Sequence, residues 1–414
     1  MEGPERVVRV EDGATVTLGP VEGMLVVGRH ATVRGGGYPP VLEVSGAVRC
    51  LGPCVFECSL RARRLEARRG PIEVLGDLTV EDRVKVRADS LVVSGSAQAR
   101  LFEVEGELKV DGDLRAREVR VGGYLTVGGK AEVALVDVGG SLLAQDEFEA
   151  EEVQVGGKAR FDGDVDIGRL SVGGTARAKG GRIGEIDIGG SFKALSTLKF
   201  DEISVGGMVV LANGEGGDIS VGGSFRSQGP LRHFGKLSVG GTISIVGPAR
   251  GIEISVGGAL KVLGDLELEG KLRVGGTASI EGALKAGSIY IGGSLRADKV
   301  EASEDLRVGG LLATREGAKA NYIEIGRKGR VKGPLRAKKV TISEKARVED
   351  VWAEEITLDE GARAKNLYGI RIYIERGCVI LGEVKYVEEL VVEEGVRFLR
   401  PPEKVSDSSE IGLA

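Results

Sequence analysis

Three cysteines and two histidines are the side chains here best suited to holding a metal or acting as a nucleophile. Cys50, Cys54 and Cys58 form a C-x3-C-x3-C run, which matches neither the C-x2-C spacing of zinc sites nor the usual iron–sulfur runs. Residues four apart on one strand share a face but lie roughly 13 Å from each other, too far for a shared metal or a disulfide. Only a sharp turn at Gly52-Pro53 brings them together. Cys50, Cys54 and Cys58 are therefore a weak candidate metal site and read first as small apolar side chains packed inside the fold. Cys378 and the histidines His30 and His233 are scattered along the chain, and each histidine reads as a surface or corner residue.

Other chemistry leaves fewer traces. The sequence has no GxxxxGK[ST] and no strand-GxGxxG-helix unit, so no nucleotide cradle and no cofactor are expected. The formal net charge of −5 gives no general case for nucleic acid. The charge is unevenly placed: from Glu344 to Ala414 there are 16 acidic and 10 basic residues, a net of −6. Near the other end Arg61, Arg63, Arg64, Arg68 and Arg69 form a basic run, which reads as a solvated strand face or as a contact for an anionic partner. Asn, Gln, Cys, Met and His are scarce while Glu, Lys and Arg are plentiful, the composition of a thermophile. Met1 to Arg6 show neither a basic nor an apolar leader region, and no apolar stretch approaches the roughly 20 residues of a membrane span. The chain reads as cytoplasmic, with no transmembrane segment.

The elements that must position these residues are set by an internal repeat. An apolar-x-apolar triplet followed by Gly-Gly recurs with its first glycine at 122, 139, 156, 173, 189, 206, 222, 240, 257, 275, 292 and 309, a mean step of 17. Self-similarity at a fixed short period marks a solenoid, whose repeats bury their apolar side against their neighbours. Within Gly156–Val172 the apolar residues alternate at Ala159/Phe161, Val165/Ile167 and Leu170/Val172. Such alternation in short runs predicts three strands per repeat with one face buried. A helical reading fails, because each glycine would cost a helix about 1 kcal/mol. The Gly-Gly pair is expected to turn a corner, through positive φ or through close backbone approach.

The triplet outlasts the glycines. Val340/Ile342, Ile356/Leu358, Ile372/Ile374 and Leu390/Val392 continue it, Phe102/Val104 precedes it, and Val27 and Val44 also lie 17 apart. Between Val44 and Val104 the register slips or a loop intrudes. The expected fold is all-β, a single parallel β-helix of triangular cross-section with about 17 residues per coil and about 21–23 coils. Residues 1–101 are read as N-terminal coils with irregular register and a cap, 102–400 as the regular helix, and 401–414 as a disordered tail. Calcium-binding β-rolls need an Asp after Gly-Gly that is missing here. Sugar-cleaving β-helices use long loops to form a cleft, whereas these coils are nearly all minimal, so no enzyme is expected. The middle residue of the triplet is Ser at Ser171, Ser204, Ser220, Ser238 and Ser255, a row that would suit lateral packing.

The phrases GDLRAREVRVGG and LTVGGKAEVALVDVGGSLLA, within Phe102–Val392, resemble the bactofilins, the polymer-forming cytoskeletal proteins. The resemblance implies a right-handed β-helix and nucleotide-independent filaments built by end-to-end contact. This helix is several times longer than that family's usual core, and it lacks the family's N-terminal membrane-targeting segment. Independently, the first and last coils of any β-helix carry strand edges that must be capped or paired. Val7, Val8, Val10, Val16 and Leu18 at one end, and Val396, Phe398 and Leu399 at the other, are the self-association candidates. The expected function is a structural scaffold self-associating through its ends. The alternative is a monomeric, adhesin-like binding solenoid that uses its lateral face; a polysaccharide-active enzyme comes third.

Overall fold

A computed structural model describes residues 6–87 and 89–413; Met1–Glu5, read above for a leader, lie outside the described residues. The protein is an all-β parallel solenoid of about 23 turns, spaced about 17 residues apart. Its contacts divide it into two compact units, Met1–Gly206 and Gly207–Ala414. Among the described residues, no helix is long and apolar enough to cross a membrane.

In the first unit the register follows from the alternation. The strands Leu114–Val121 and Ala131–Val138 pair in parallel, with Leu114 on Ala131, Val119 on Val136 and Val121 on Val138. The strand Tyr124–Val127 stacks on Ser141–Ala144 in the same way. Inward side chains thus form columns, and Val119, Leu125, Val136 and Leu142 are all buried. Each such burial stabilises the fold by roughly 1.5–3 kcal/mol, repeated in every coil. Outward residues form columns as well. Arg49, Glu66, Lys85, Glu103, Arg120 and Asp137 stack in successive coils with alternating sign, and Arg49 lies 3.5 Å from Glu66. Exposed pairs contribute at most about 1 kcal/mol each, but a column of them opposes misalignment of neighbouring coils.

The second unit repeats the scheme and shows how bulky groups fit a narrow interior. Phe234 and Gly251 stack as register partners on adjacent coils. A Cβ on Gly251 would sit closer than 3.0 Å to three carbons of the Phe234 ring. The missing side chain on one coil makes room for the ring of the one before. A second alternating column, Lys339, Glu355, Arg371 and Glu389, runs toward the C-terminal end.

The Gly-Gly corners are explained by approach and not by φ. None of these glycines has positive φ. A Cβ on Gly139, Gly156 or Gly173 would lie closer than 3.0 Å to the carbonyl oxygen of the matching glycine one coil earlier. A different corner appears toward each terminus, where the chain makes a tight turn with one residue in the left-handed region. Gly13 (φ 71°) and His30 (φ 56°) hold this place near the start, and Lys328 (58°), Lys345 (58°), Gly361 (69°), Gly377 (71°) and Gly395 (78°) near the finish.

The structure alters two expectations. Val27 and Val44 are not in one column: Val27 pairs with Cys50, and Val44 pairs with Val21 and Ala62 on another side of the coil. The step from Leu25 to Val48 is 23 residues, because a loop around Gly36–Pro40 bulges out, with Tyr38 fully exposed. Later steps in that column, Val48 to Leu65 to Val84 to Phe102, return to 17–19 residues. The second change concerns 401–414, expected to be a disordered tail. Glu403–Lys404 pairs with Lys385 and Tyr386, and a 3-10 turn, Ser408–Ile411, follows with Asp407 as its N-cap. Val405 and Ile411 are buried, and Arg336 Nη1 donates to the Gly412 carbonyl at 3.3 Å. Two apolar anchors hold the segment, too few to register as a period.

The corner geometry predicts a sharp contrast between two conservative substitutions. Gly156→Ala sets a methyl against backbone and should cost about 1–3 kcal/mol. Gly19→Ala, where no atom lies within 4 Å and φ is not positive, should leave stability unchanged. Thermal or urea unfolding of both variants measures the difference; equal stability would contradict the packing account.

Candidate functional site: the terminal coils

The cysteines divide differently from their spacing. Cys50 ends the strand Val41–Cys50, the chain bends through Leu51 and Gly52, and Cys54 opens the strand Cys54–Phe56. The bend turns both side chains into the interior, and the Cys54 thiol donates to the Cys50 sulfur at 3.2 Å. Cys58 stays apart, its sulfur 3.9 Å from the Val33 carbonyl oxygen. All four cysteines are free and buried. The hydrogen bond from Cys54 and burial push the Cys50 thiol well above its ordinary pKa, and burial raises Cys58 and Cys378. These are protonated thiols in an apolar setting, the opposite of the thiolate a metal or a nucleophilic reaction needs. Among the described residues, no three His, Cys, Asp or Glu side chains are grouped to hold a metal ion.

His30, in a turn, and His233, inside the strand Leu231–Val239 where its pairing shifts register, are both exposed with positive φ, 56° and 52°. In the basic run, Arg61 pairs with Glu43 at 3.2 Å and Arg64 with Asp82 at 2.9 Å. Arg63, Arg68 and Arg69 are exposed. Ser220, Ser238 and Ser255 stack on successive coils of the second unit, as the row requires.

One lateral feature escaped the sequence reading. Beyond Ser255 the middle-of-triplet column becomes Arg273, Tyr290, Arg307 and Glu324. The guanidinium carbons of Arg273 and Arg307 lie 5.7 and 5.8 Å from the Tyr290 ring centre, and Arg307 lies 5.4 Å from that of Tyr322. They border a shallow groove of about 500 Å3 floored by corner glycines. Glu253, Asp305 and Glu324 lie within 3.2–3.6 Å of these guanidiniums, so the groove is close to charge-balanced. Following one column at 17-residue steps would have revealed it.

The candidate self-association residues lie where coil stacking stops. Among the described residues, Val7–Val10 pairs only with Met24–Val27, and Thr15–Leu18 only with Ala31–Gly35. Val10 is buried, Val8, Val16 and Leu18 are half-buried, and Val7 is 49% exposed. At the other end Val384–Val392 pairs inward with Asn366–Ile374, and Arg397–Phe398 with Val379–Ile380. Glu403–Lys404 covers Lys385 and Tyr386; among the described residues, no further strand is paired on the far side of Glu388–Val392 or of Arg397–Phe398. Val391 and Val392 are exposed, Leu399 is 74% exposed, and Val396 and Phe398 are half-buried. The equivalent inward positions one coil earlier, Ile372, Ile374, Cys378 and Ile380, are all buried. The terminal coils thus repeat the interior pattern with one covering layer missing.

Comparison of the chain with protein-family models, with curated proteins and with solved structures gives no match.

The thiol environment has a direct readout. At pH 8 the four thiols of the native protein should resist Ellman's reagent, because all four are buried and the raised pKa of Cys50, Cys58 and Cys378 suppresses their thiolates. All four should react in denaturant. Rapid native labelling of Cys50 or Cys54 would contradict their burial.

Proposed function

We propose that this protein is a non-enzymatic structural scaffold that associates with itself through the ends of its β-solenoid, without nucleotide. The observation that carries the reading is an uncovered edge on each terminal coil: Val7–Val10 and Thr15–Leu18 at one end, and at the other Glu388–Val392 and Arg397–Phe398, beside the stretch Lys385–Tyr386 that Glu403–Lys404 covers. Strand edges with free N–H and C=O groups and apolar side chains are templates for another chain, and soluble proteins normally block them with charge, proline or a covering loop. Pro401 and Pro402 stand close by, but Val391, Val392 and Leu399 remain exposed. End-to-end assembly is also what the bactofilin resemblance implies. A cytoplasmic setting belongs to the proposal and is supported by four unbonded cysteines. Columns of ion pairs such as Lys339–Glu355–Arg371 support a thermophilic source.

A second reading, lateral binding by a monomeric solenoid, is favoured by the Arg273–Tyr290–Arg307 groove. Its balanced charge and shallow form make it secondary.

Sedimentation velocity and negative-stain microscopy, both without nucleotide, test the main reading. The wild type should form filaments or a discrete oligomer. Phe398→Arg should weaken association while circular dichroism stays unchanged. Uniform monomers of wild type at high concentration would refute the proposal.

A further inference from the structure

Self-association through ends leaves the orientation open, since two like ends or two unlike ends can meet. We propose that the partner of the C-terminal coil is the N-terminal coil of a second copy, stacked head to tail in parallel register as one more turn of the solenoid. This inference rests on the self-association reading and adds its direction.

Three features of the two ends fit one another. The first is the column. Val8 and Val10 begin the triplet column of the first unit, lying on Leu25 and Val27. Leu390 and Val392 close the triplet column of the second, lying on Ile372 and Ile374. Continuing the register sets Glu389, Leu390, Val391 and Val392 against Val7, Val8, Arg9 and Val10 of the next copy.

The second is the corner. Both ends use the left-handed turn and not the Gly-Gly corner, at Glu11–Ala14 and at Glu393–Val396. In these corners the amide of the left-handed residue donates one coil onward, to the carbonyl of the residue just before its counterpart. Gly13 donates to Arg29, Lys328 to Glu344, Lys345 to Glu360 and Gly361 to Arg376, at 2.8–3.1 Å. The next step, to Gly395, is two residues longer than the one before it, and there the Gly377 amide has no backbone acceptor among the described residues. Among the described residues, the Gly395 amide has no backbone acceptor and the Asp12 carbonyl no backbone donor. In the reverse sense, Gly28 donates to Val10 and Glu393 to Ile374, leaving the Glu11 amide and the Val392 carbonyl open. Head-to-tail stacking matches Gly395 with Asp12 and Glu11 with Val392, donor to acceptor in both cases. Two like ends would set parallel strands against each other in opposite directions and could not reproduce this pattern.

The third is charge. The column Glu355–Arg371–Glu389 ends on a carboxylate, and the neighbouring Glu388 lies 3.4 Å from Arg371. Arg6, 3.3 Å from Glu22 of its own copy, precedes Val7 and would stand opposite Glu388 in this register, while Glu388 meeting another Glu388 is repulsive. A contact between unlike ends leaves one free end of each kind, so copies add one after another, into a filament or, where the rotation between copies closes, a ring.

Two single-cysteine variants test the direction. Arg9 and Val391 are exposed and stand opposite each other in the proposed register, and the native thiols are buried. Arg9→Cys and Val391→Cys, mixed and treated with a short bismaleimide, should give a covalent dimer; neither variant alone should do so. Crosslinking of either variant with itself, or failure of the mixture to crosslink under conditions where sedimentation shows polymer, would overturn the head-to-tail arrangement. Monomers by sedimentation in every sample would remove the self-association reading itself.

Discussion

The contact on which the rest of this protein depends is that of a backbone carbonyl oxygen pressed against the α-carbon of the residue one coil later. It recurs at Gly139, Gly156, Gly173 and onward through the Gly-Gly corners. Strand spacing near 4.8 Å leaves no room there for a methyl group, so the corner excludes every residue but glycine. With the corners held at that spacing, each inward Val, Ile or Leu meets its counterpart and the columns close. The buried layer is narrow, which is why aromatics are rare and why a ring such as that of Phe234 needs Gly251 beside it.

Much of this was legible in the amino-acid sequence because the solenoid repeats one local rule. The triplets from Phe102/Val104 to Leu390/Val392 lie in the columns their spacing implied, and the alternation in Gly156–Val172 gave its strands. Legibility failed where a single event broke the rule. The loop around Gly36–Pro40 moved Val44 to another side of the coil, so a 17-residue distance from Val27 was coincidental. The bend at Leu51-Gly52 placed Cys50 on Cys54, a meeting that strand geometry argued against and only a corner permits. The 401–414 segment is held by Val405 and Ile411, and two anchors do not make a period.

The candidate site was legible to a different degree. Sequence could say that terminal coils have edges and name the apolar residues there. It could not show that the covering layer stops at Leu390 and Phe398, nor that both ends share a corner type. Positive φ at His30, Lys328 and Lys345 carries no composition signal, because these residues are ordinary elsewhere. The Arg273–Tyr290–Arg307 column was legible only by following the middle of the triplet beyond Ser255, because its members are contiguous in space but a coil apart in the chain.

Uniform registration also bears on how such a chain can change over time. Where successive coils pair residue for residue, as from Leu114 through Val155, removing or duplicating one 17-residue period restores every column. Removing a few residues disturbs the register of the coil they come from, unless a corner absorbs the change as the loop around Gly36–Pro40 does. Tandem repeats in a gene are prone to gains and losses of whole units during copying, and here the fold tolerates that class of error best. The number of coils is thus a heritable variable that moves in whole steps, so the length of each unit can drift by about 4.8 Å at a time while its two faces and its ends stay as they are.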